Sequence, residues 1–309
     1  MEKELAAKKL NFMVNNTFLV LTLQELLEQL SISNESVVDV YYLFALEKPK
    51  PKKSTPTDEW ISTISSLSHI ENKKAKSYAV GFFNGDVKVY DSKHNEVLNA
   101  TKLHQDSQIT DLLYFKSDTL DQKYLITCSE LPNAQMTISK IGADKKTIKI
   151  VARAKASLME DTECGYSSLA QNPIEREKFC SSQQVIDDPD SGILLWDVNP
   201  QSWEEGAADF SKGGQANKRQ RTDIANISPV AQIKCTNGVQ SMNWASQSTL
   251  IAGCTDHQLK VFDTEKLLAQ ASVFTNHKVI TALDSNFSNQ NQLVLGGHED
   301  GVVKLYDLR

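Results

Sequence analysis

Cysteine is scarce in this chain, and its five residues, Cys128, Cys164, Cys180, Cys235 and Cys254, lack the close pairing that a zinc site or a disulfide framework requires. That scatter excludes a disulfide-stapled secreted scaffold and points to reducing, intracellular surroundings. Glycine and proline are few, 13 and 8 residues, which excludes a collagenous or largely disordered chain. No apolar run reaches the roughly 18 residues of a membrane helix, and residues 1–10 are charged rather than signal-like. A soluble chain with no membrane partner is expected. There is also no glycine-rich phosphate loop, His-Glu-x-x-His helix or elbow-type serine. Enzymatic readings therefore drop out, and neither a cofactor nor a small-molecule substrate is expected. Asp187, Asp188 and Asp190, around Pro189, read as a solvated turn rather than as a metal or glycosidase site. The net charge of −6 excludes a wholly basic surface, so any nucleic-acid contact must come from a local patch.

What the chain does contain is a repeat. Its last residues run Gly296-Gly297-His298-Glu299-Asp300-Gly301-Val302-Val303-Lys304-Leu305-Tyr306-Asp307. The same order of small residues, an acidic turn, an apolar/Lys/apolar/aromatic strand and a closing Asp recurs at 79–91 and 252–263. Asp263 and Asp307 lie about 44 residues apart, the WD-repeat period of one four-stranded propeller blade. Alternation places Val303 and Leu305 on one face, able to enter a blade interface, with Val302, Lys304 and Tyr306 facing the other way. Gly85 and Gly301 fall where the turn needs positive φ. A blade cannot bury its faces alone, so function is sought in binding surfaces rather than in a pocket.

The period predicts an all-β WD40 propeller over 58–309 with five blades of an expected seven. The first opens at Asp58-Glu59-Trp60-Ile61-Ser62 and closes its third strand at Asp91. The second is degenerate, with strands at 109–114, 124–128 and 136–140. The third carries inner strands near 165–169 and 178–182 and the Trp-Asp strand 192–197, the fourth runs from Val239 to about Phe274, and the fifth from Val279 to Asp307. Asp197 to Asp263 spans about 66 residues, too many for one period. The excess reads as a disordered basic insertion at 198–228 between the last two strands of the third blade. His104 and His277 occupy the turn position before an inner strand, where hydrogen bonding within a blade is expected. Trp196 and Trp244 read as core residues rather than binding platforms.

Ahead of the propeller, residues 1–47 form a smaller α/β unit. Strands at 12–14 and 18–20 flank a turn, a leucine stripe at 23–30 predicts a helix, and 37–44 is a strong strand. Residues 48–57 hold three prolines and four lysines and read as an extended, solvated linker.

These parts in this order resemble the ribosome-biogenesis WD-repeat family of the pescadillo/block-of-proliferation (PeBoW) complex, in which a ubiquitin-like domain precedes a seven-bladed propeller. Three stretches carry the resemblance: 26–44 is similar to the end of the ubiquitin-like domain, 58–64 to the entry of the first blade, and Lys218-Arg219-Gln220-Arg221-Thr222 to the basic cluster of the third-blade insertion. The notchless-type 60S factor shares the architecture, but the placement of the insertion favours the first family. A substrate adaptor of a ubiquitin ligase is the competing reading from another class. The ubiquitin-like domain's first hairpin and the last two blades lack counterparts here, so a product truncated at both ends is expected.

The resemblance implies a non-catalytic assembly factor in 60S subunit biogenesis and pre-rRNA processing, located in the nucleolus and nucleoplasm. Implied partners are a block-of-proliferation-type WD protein, a pescadillo-type protein, the preribosomal 60S particle and the AAA ATPase midasin. It further implies that Glu35, in the loop 31–36, is a ligand to the Mg²⁺ of midasin's adhesion site. Lys218, Arg219 and Arg221 form a candidate nuclear-import or ribosomal-RNA contact.

Overall fold

A computed structural model describes residues 10–15, 17–20, 22–33, 35–45, 50–51, 53–67, 77–100, 103–104, 107–117, 121–129, 136–142, 147–154, 164–185, 188–197, 224–235, 237–274, 278–285 and 293–308. The chain divides into two compact units, Met1–Pro56 and Thr57–Arg309.

In the first unit, strands β1 (Leu10–Val14), β2 (Thr17–Phe18) and β3 (Val40–Phe44) form an antiparallel sheet in the order β2-β1-β3. The strong strand expected at 37–44 begins only at Val40, and Val37 is 98% exposed. Helix α1 (Leu23–Gln29) is set by a capping box. The Thr22 hydroxyl accepts from the Glu25 backbone N–H, and the Glu25 carboxylate accepts from the Thr22 N–H. The helix buries Leu26 and Leu27 against Val14, with Leu19, Leu30, Ile32 and Val38 packed around them.

Among the described residues the second unit is all β. Its first sheet holds β4 (Ile61–Leu67), β5 (Ser77–Phe82), β6 (Val87–Asp91) and β7 (Glu96–Ala100). The second holds β8 (Asp111–Lys116), β9 (Lys123–Cys128), β10 (Met136–Ile141) and β11 (Ile148–Ala154). The third holds β12 (Cys164–Gln171), β13 (Lys178–Val185) and β14 (Asp188–Asp197), the fourth β17 (Val239–Trp244), β18 (Thr249–Cys254), β19 (Gln258–Asp263) and β20 (Leu268–Phe274). The fifth holds β21 (Ile280–Ser285), β22 (Leu293–His298) and β23 (Val303–Asp307). Two short strands, β15 (Ala225–Ile227) and β16 (Ala231–Lys234), lie between β14 and β17.

β15 corrects the expectation of a wholly disordered segment at 198–228. It pairs in parallel with β11, Ala152 opposite Ala225 and Ala154 opposite Ile227, and so becomes the fifth strand of the second sheet. The chain then returns to the third sheet, where β16 pairs with β14. β14 opens with Asp188–Asp190, so these residues belong to a strand rather than to a solvated turn, while Asp187 lies outside the described residues.

First strands of successive sheets touch: β4 with β8, β8 with β12, β12 with β17 and β17 with β21. Each junction has its own apolar core. Leu67, Val89 and Leu98 meet Ile109, Leu112 and Tyr114 between the first and second sheets. Ile126, Met136 and Ile138 meet Tyr166, Phe179 and Trp196 between the second and third. Ile193 and Ile233 meet Met242, Trp244 and Phe262 between the third and fourth. Ile251 and Val261 meet Val294, with Leu283 and Tyr306 against them, between the fourth and fifth. Burying one large aliphatic side chain contributes about 1.5–3 kcal/mol, so each junction stabilises both sheets it joins. Tyr306 faces the fourth sheet as the alternation requires, but the opposite face, with Leu295, Val303 and Leu305, is exposed.

Candidate functional site

The Glu35 turn follows directly from how α1 ends. Leu30 is the C-cap, and Ser31 turns the backbone at φ 54° so that Ile32 can fold back, its N–H donating to Leu27 O at 2.9 Å. Leu30 and Ile32 on one side and Val38 on the other pack on the buried Leu26 and Leu27. The ends of the turn are thus anchored by the core. Within it, the Ser33 hydroxyl accepts from the Glu35 N–H at 3.3 Å and Ser33 O accepts from the Ser36 N–H at 3.0 Å. The Glu35 side chain is exposed, and no hydrogen bond or ion pair joins its carboxylate to another described residue. Chemically this is one hard anionic oxygen donor on a held turn. Among the described residues there is no group of three His, Cys, Asp or Glu that could hold a metal by itself.

Lys218, Arg219 and Arg221 lie outside the described residues, as does His277. His104 is buried, with Nε2 2.8 Å from the Thr127 hydroxyl, which lies 2.7 Å from that of Thr137. Burial, opposed by hydrogen bonding to Thr127, pushes its imidazole down to about 4. A neutral, fully packed histidine of this kind organises the start of the second sheet. Trp196 and Trp244 are buried, and their indole N–H groups donate to Ser181 Oγ at 2.9 Å and to Ala170 O at 3.2 Å. Neither offers a binding platform.

Two features were not legible as special in the sequence. Asp111 is a carboxylate shared by three sheets: Oδ1 accepts from the Thr63 hydroxyl at 3.2 Å and from its neighbour's N–H on Leu112 at 2.8 Å, and Oδ2 from the Leu169 N–H at 2.8 Å. Burial pushes its carboxyl up to about 6 against these bonds. Trp60 is 78% exposed, edge-on to Phe83 at 6.2 Å, and forms an aromatic knob at the entry to the first sheet. The only signal for it was the tryptophan at an otherwise polar strand entry.

The model of the WD domain, G-beta repeat, matches residues 227–263, which hold β16 to β19, and 269–307, which hold nearly all of β20 and the whole fifth sheet. Along its whole length the chain is 21% identical to a ribosome biogenesis protein WDR12 homolog of Drosophila persimilis, covering 65% of that protein. It is 23% identical over 308 residues to the WDR12 homolog of Nematostella vectensis and 24% over 323 to that of Chlamydomonas reinhardtii, covering 66% of each. The chain thus spans about two thirds of the length of these relatives. Among solved structures, Chaetomium thermophilum Raptor superposes with a TM-score of 0.56 at 14% identity, over 82% of this chain and 20% of that one, a likeness of fold alone. Repeats, sheet succession and similarity along this chain together make it similar to the WDR12 ribosome biogenesis homologs over about two thirds of their length.

Proposed function

We propose that this protein is a non-catalytic assembly factor in 60S ribosomal subunit biogenesis, acting in the nucleolus and nucleoplasm. The observation that carries the reading is similarity to ribosome biogenesis WDR12 homologs across the whole chain, joined to a site made of surfaces and a held carboxylate rather than of converging catalytic groups. The five sheets serve as successive blades of a propeller that holds protein partners, a block-of-proliferation-type WD protein and a pescadillo-type protein among them. The first unit is the ubiquitin-like part and presents Glu35 to midasin. A Mg²⁺ with one open position selects a hard anionic oxygen, and Glu35 supplies that oxygen between Ile32 and Val38, which both pack on Leu26 and Leu27.

Binding of the full chain to the adhesion domain of midasin tests this in Mg²⁺ and in chelator. Wild-type binding should require the ion, and Glu35→Ala should lose it at least tenfold, the loss of a charge-assisted contact worth ~1.5–3 kcal/mol. Glu35→Asp, one methylene shorter, should also weaken it. Binding to the WD partner should not change. Docking that survives both chelation and Glu35→Ala would reduce Glu35 to a solvated acid.

A further inference from the structure

Cys235 and Cys254 stand 19 positions apart and in different sheets, yet their sulfurs are 3.7 Å from each other. Cys235 follows β16, the last strand of the third sheet, and Cys254 ends β18 of the fourth. Both are buried, 2% and 0% exposed, in the apolar core that joins those two sheets. Two buried cysteines in an apolar core ordinarily act as small apolar residues. Here a polar turn lies directly beside the pair. Asn237 donates from Nδ2 to Asp256 at 2.6 Å, Asp256 pairs with Lys260 at 2.8 Å, and the Cys235 sulfur is 3.2 Å from Asn237 O. Elsewhere, Cys128 contacts the Thr110 hydroxyl and the Asp111 carbonyl, and Cys180 the Ala170 carbonyl.

We propose that Cys235 and Cys254 form a dithiol that closes reversibly into an intrachain disulfide on contact with hydrogen peroxide and thereby locks the third sheet to the fourth. The Cys254 thiol beside it, opposed by burial and aided by the Lys260 ammonium farther off, favours the thiolate of Cys235, whereas Cys254 is held protonated beside that thiolate. Cys235 is therefore the attacking sulfur and Cys254 the resolving one. The Cys235 thiolate attacks one peroxide oxygen, the O–O bond breaks, and hydroxide leaves with the proton that Cys235 had released, as water. The resulting sulfenic acid is then attacked by the Cys254 sulfur. A sulfur–sulfur bond forms, and the sulfenic oxygen leaves with the Cys254 proton as a second water. Two thiols are oxidised and one peroxide is reduced to two waters. The sulfurs need to close from 3.7 Å to bonding distance, about 2.05 Å.

The full 309-residue chain, reduced and then exposed to hydrogen peroxide, tests the proposal by intact mass, peptide mapping and thermal unfolding. The expected result is loss of two hydrogens, a Cys235–Cys254 linked peptide, a Tm raised by several degrees, and return to the starting state with dithiothreitol. Cys254→Ala should leave Cys235 as a sulfenic acid that dimedone captures, and Cys235→Ala should leave Cys254 unmodified. The wild-type peptide map stands by itself where either variant fails to fold. A chain that keeps its mass, links other cysteines, or carries only irreversible oxides at Cys235 would overturn the proposal.

Discussion

Gly85 and Gly301 occupy the same turn in the first and fifth sheets, and substituting each by alanine separates backbone strain from packing. Their φ angles are nearly equal, +82° and +80°, so the left-handed conformation costs alanine the same ~1–2 kcal/mol at both. Part of that is offset by the smaller freedom of the unfolded alanine chain, ~0.4–1 kcal/mol. Around Gly301 nothing lies within 4 Å of an added Cβ, so Gly301→Ala should cost only the remaining ~1 kcal/mol. At Gly85 the Cβ would lie 2.0 Å from His104 O and 2.8 Å from Ser107 O, both backbone atoms. That segment must move, and it carries the His104 N–H bond to Gly85 O and the His104–Thr127–Thr137 chain. Losing one or two such bonds, at ~1 kcal/mol each, and leaving the buried His104 ring nitrogen unpaired, at ~1–3 kcal/mol, brings the total for Gly85→Ala to ~3–6 kcal/mol. At roughly 2–4 °C per kcal/mol, thermal unfolding followed by circular dichroism should show a Tm loss of ~10 °C for Gly85→Ala and only a few degrees for Gly301→Ala. Equal losses would refute the assignment of the cost to the His104 contact.

Other expectations concern charge. Between pH 6.5 and about 4 the unfolded imidazole binds a proton that folded His104 refuses, so its contribution to stability is lost as pH falls. Asp111 runs the other way. Folded, it holds a proton up to about pH 6 that the unfolded carboxyl releases near 3.8, so its contribution is lost as pH rises through that window. Urea midpoints from pH 7 to 4 should therefore bring wild type and His104→Asn closer together and move wild type and Asp111→Asn apart; parallel curves would contradict both. Replacing Lys218, Arg219 and Arg221 together by alanine should reduce nucleolar accumulation or particle association, and unchanged imaging and sedimentation would remove that cluster from the proposal.

Strand positions were legible in β22 and β23 from alternation, and in β9 and β18, which are buried on both faces, from short apolar runs. Gly85 and Gly301 were legible for a related reason, since an acidic turn before an apolar strand calls for positive φ. β15 was not. Ala225–Ile227 is too short to show a period, and its partner β11 lies far back in the chain, so only the assembled second sheet creates the pairing. The proximity of Cys235 and Cys254 likewise arises from the stacking of two sheets, which no local spacing encodes. Asp111 reads as an ordinary strand residue until Thr63 and Leu169 converge on it from neighbouring sheets. The Glu35 turn could be placed between a leucine stripe and a strand, but its anchoring depends on positive φ at Ser31, a residue type that gives no warning of it.

The detour through β15 has a mechanical meaning. β14 ends in the third sheet at Asp197 and β15 begins on the outer edge of the second at Ala225, so the two described strands that flank residues 198–223 belong to different sheets. β15 pairs in parallel with β11, and β16, directly after it, pairs with β14. A pull along β15 therefore loads a row of hydrogen bonds sheared together and passes through the backbone of β16 to the third sheet. The stretch from Ala225 to Lys234 is thus a strap that makes the second and third sheets share a load.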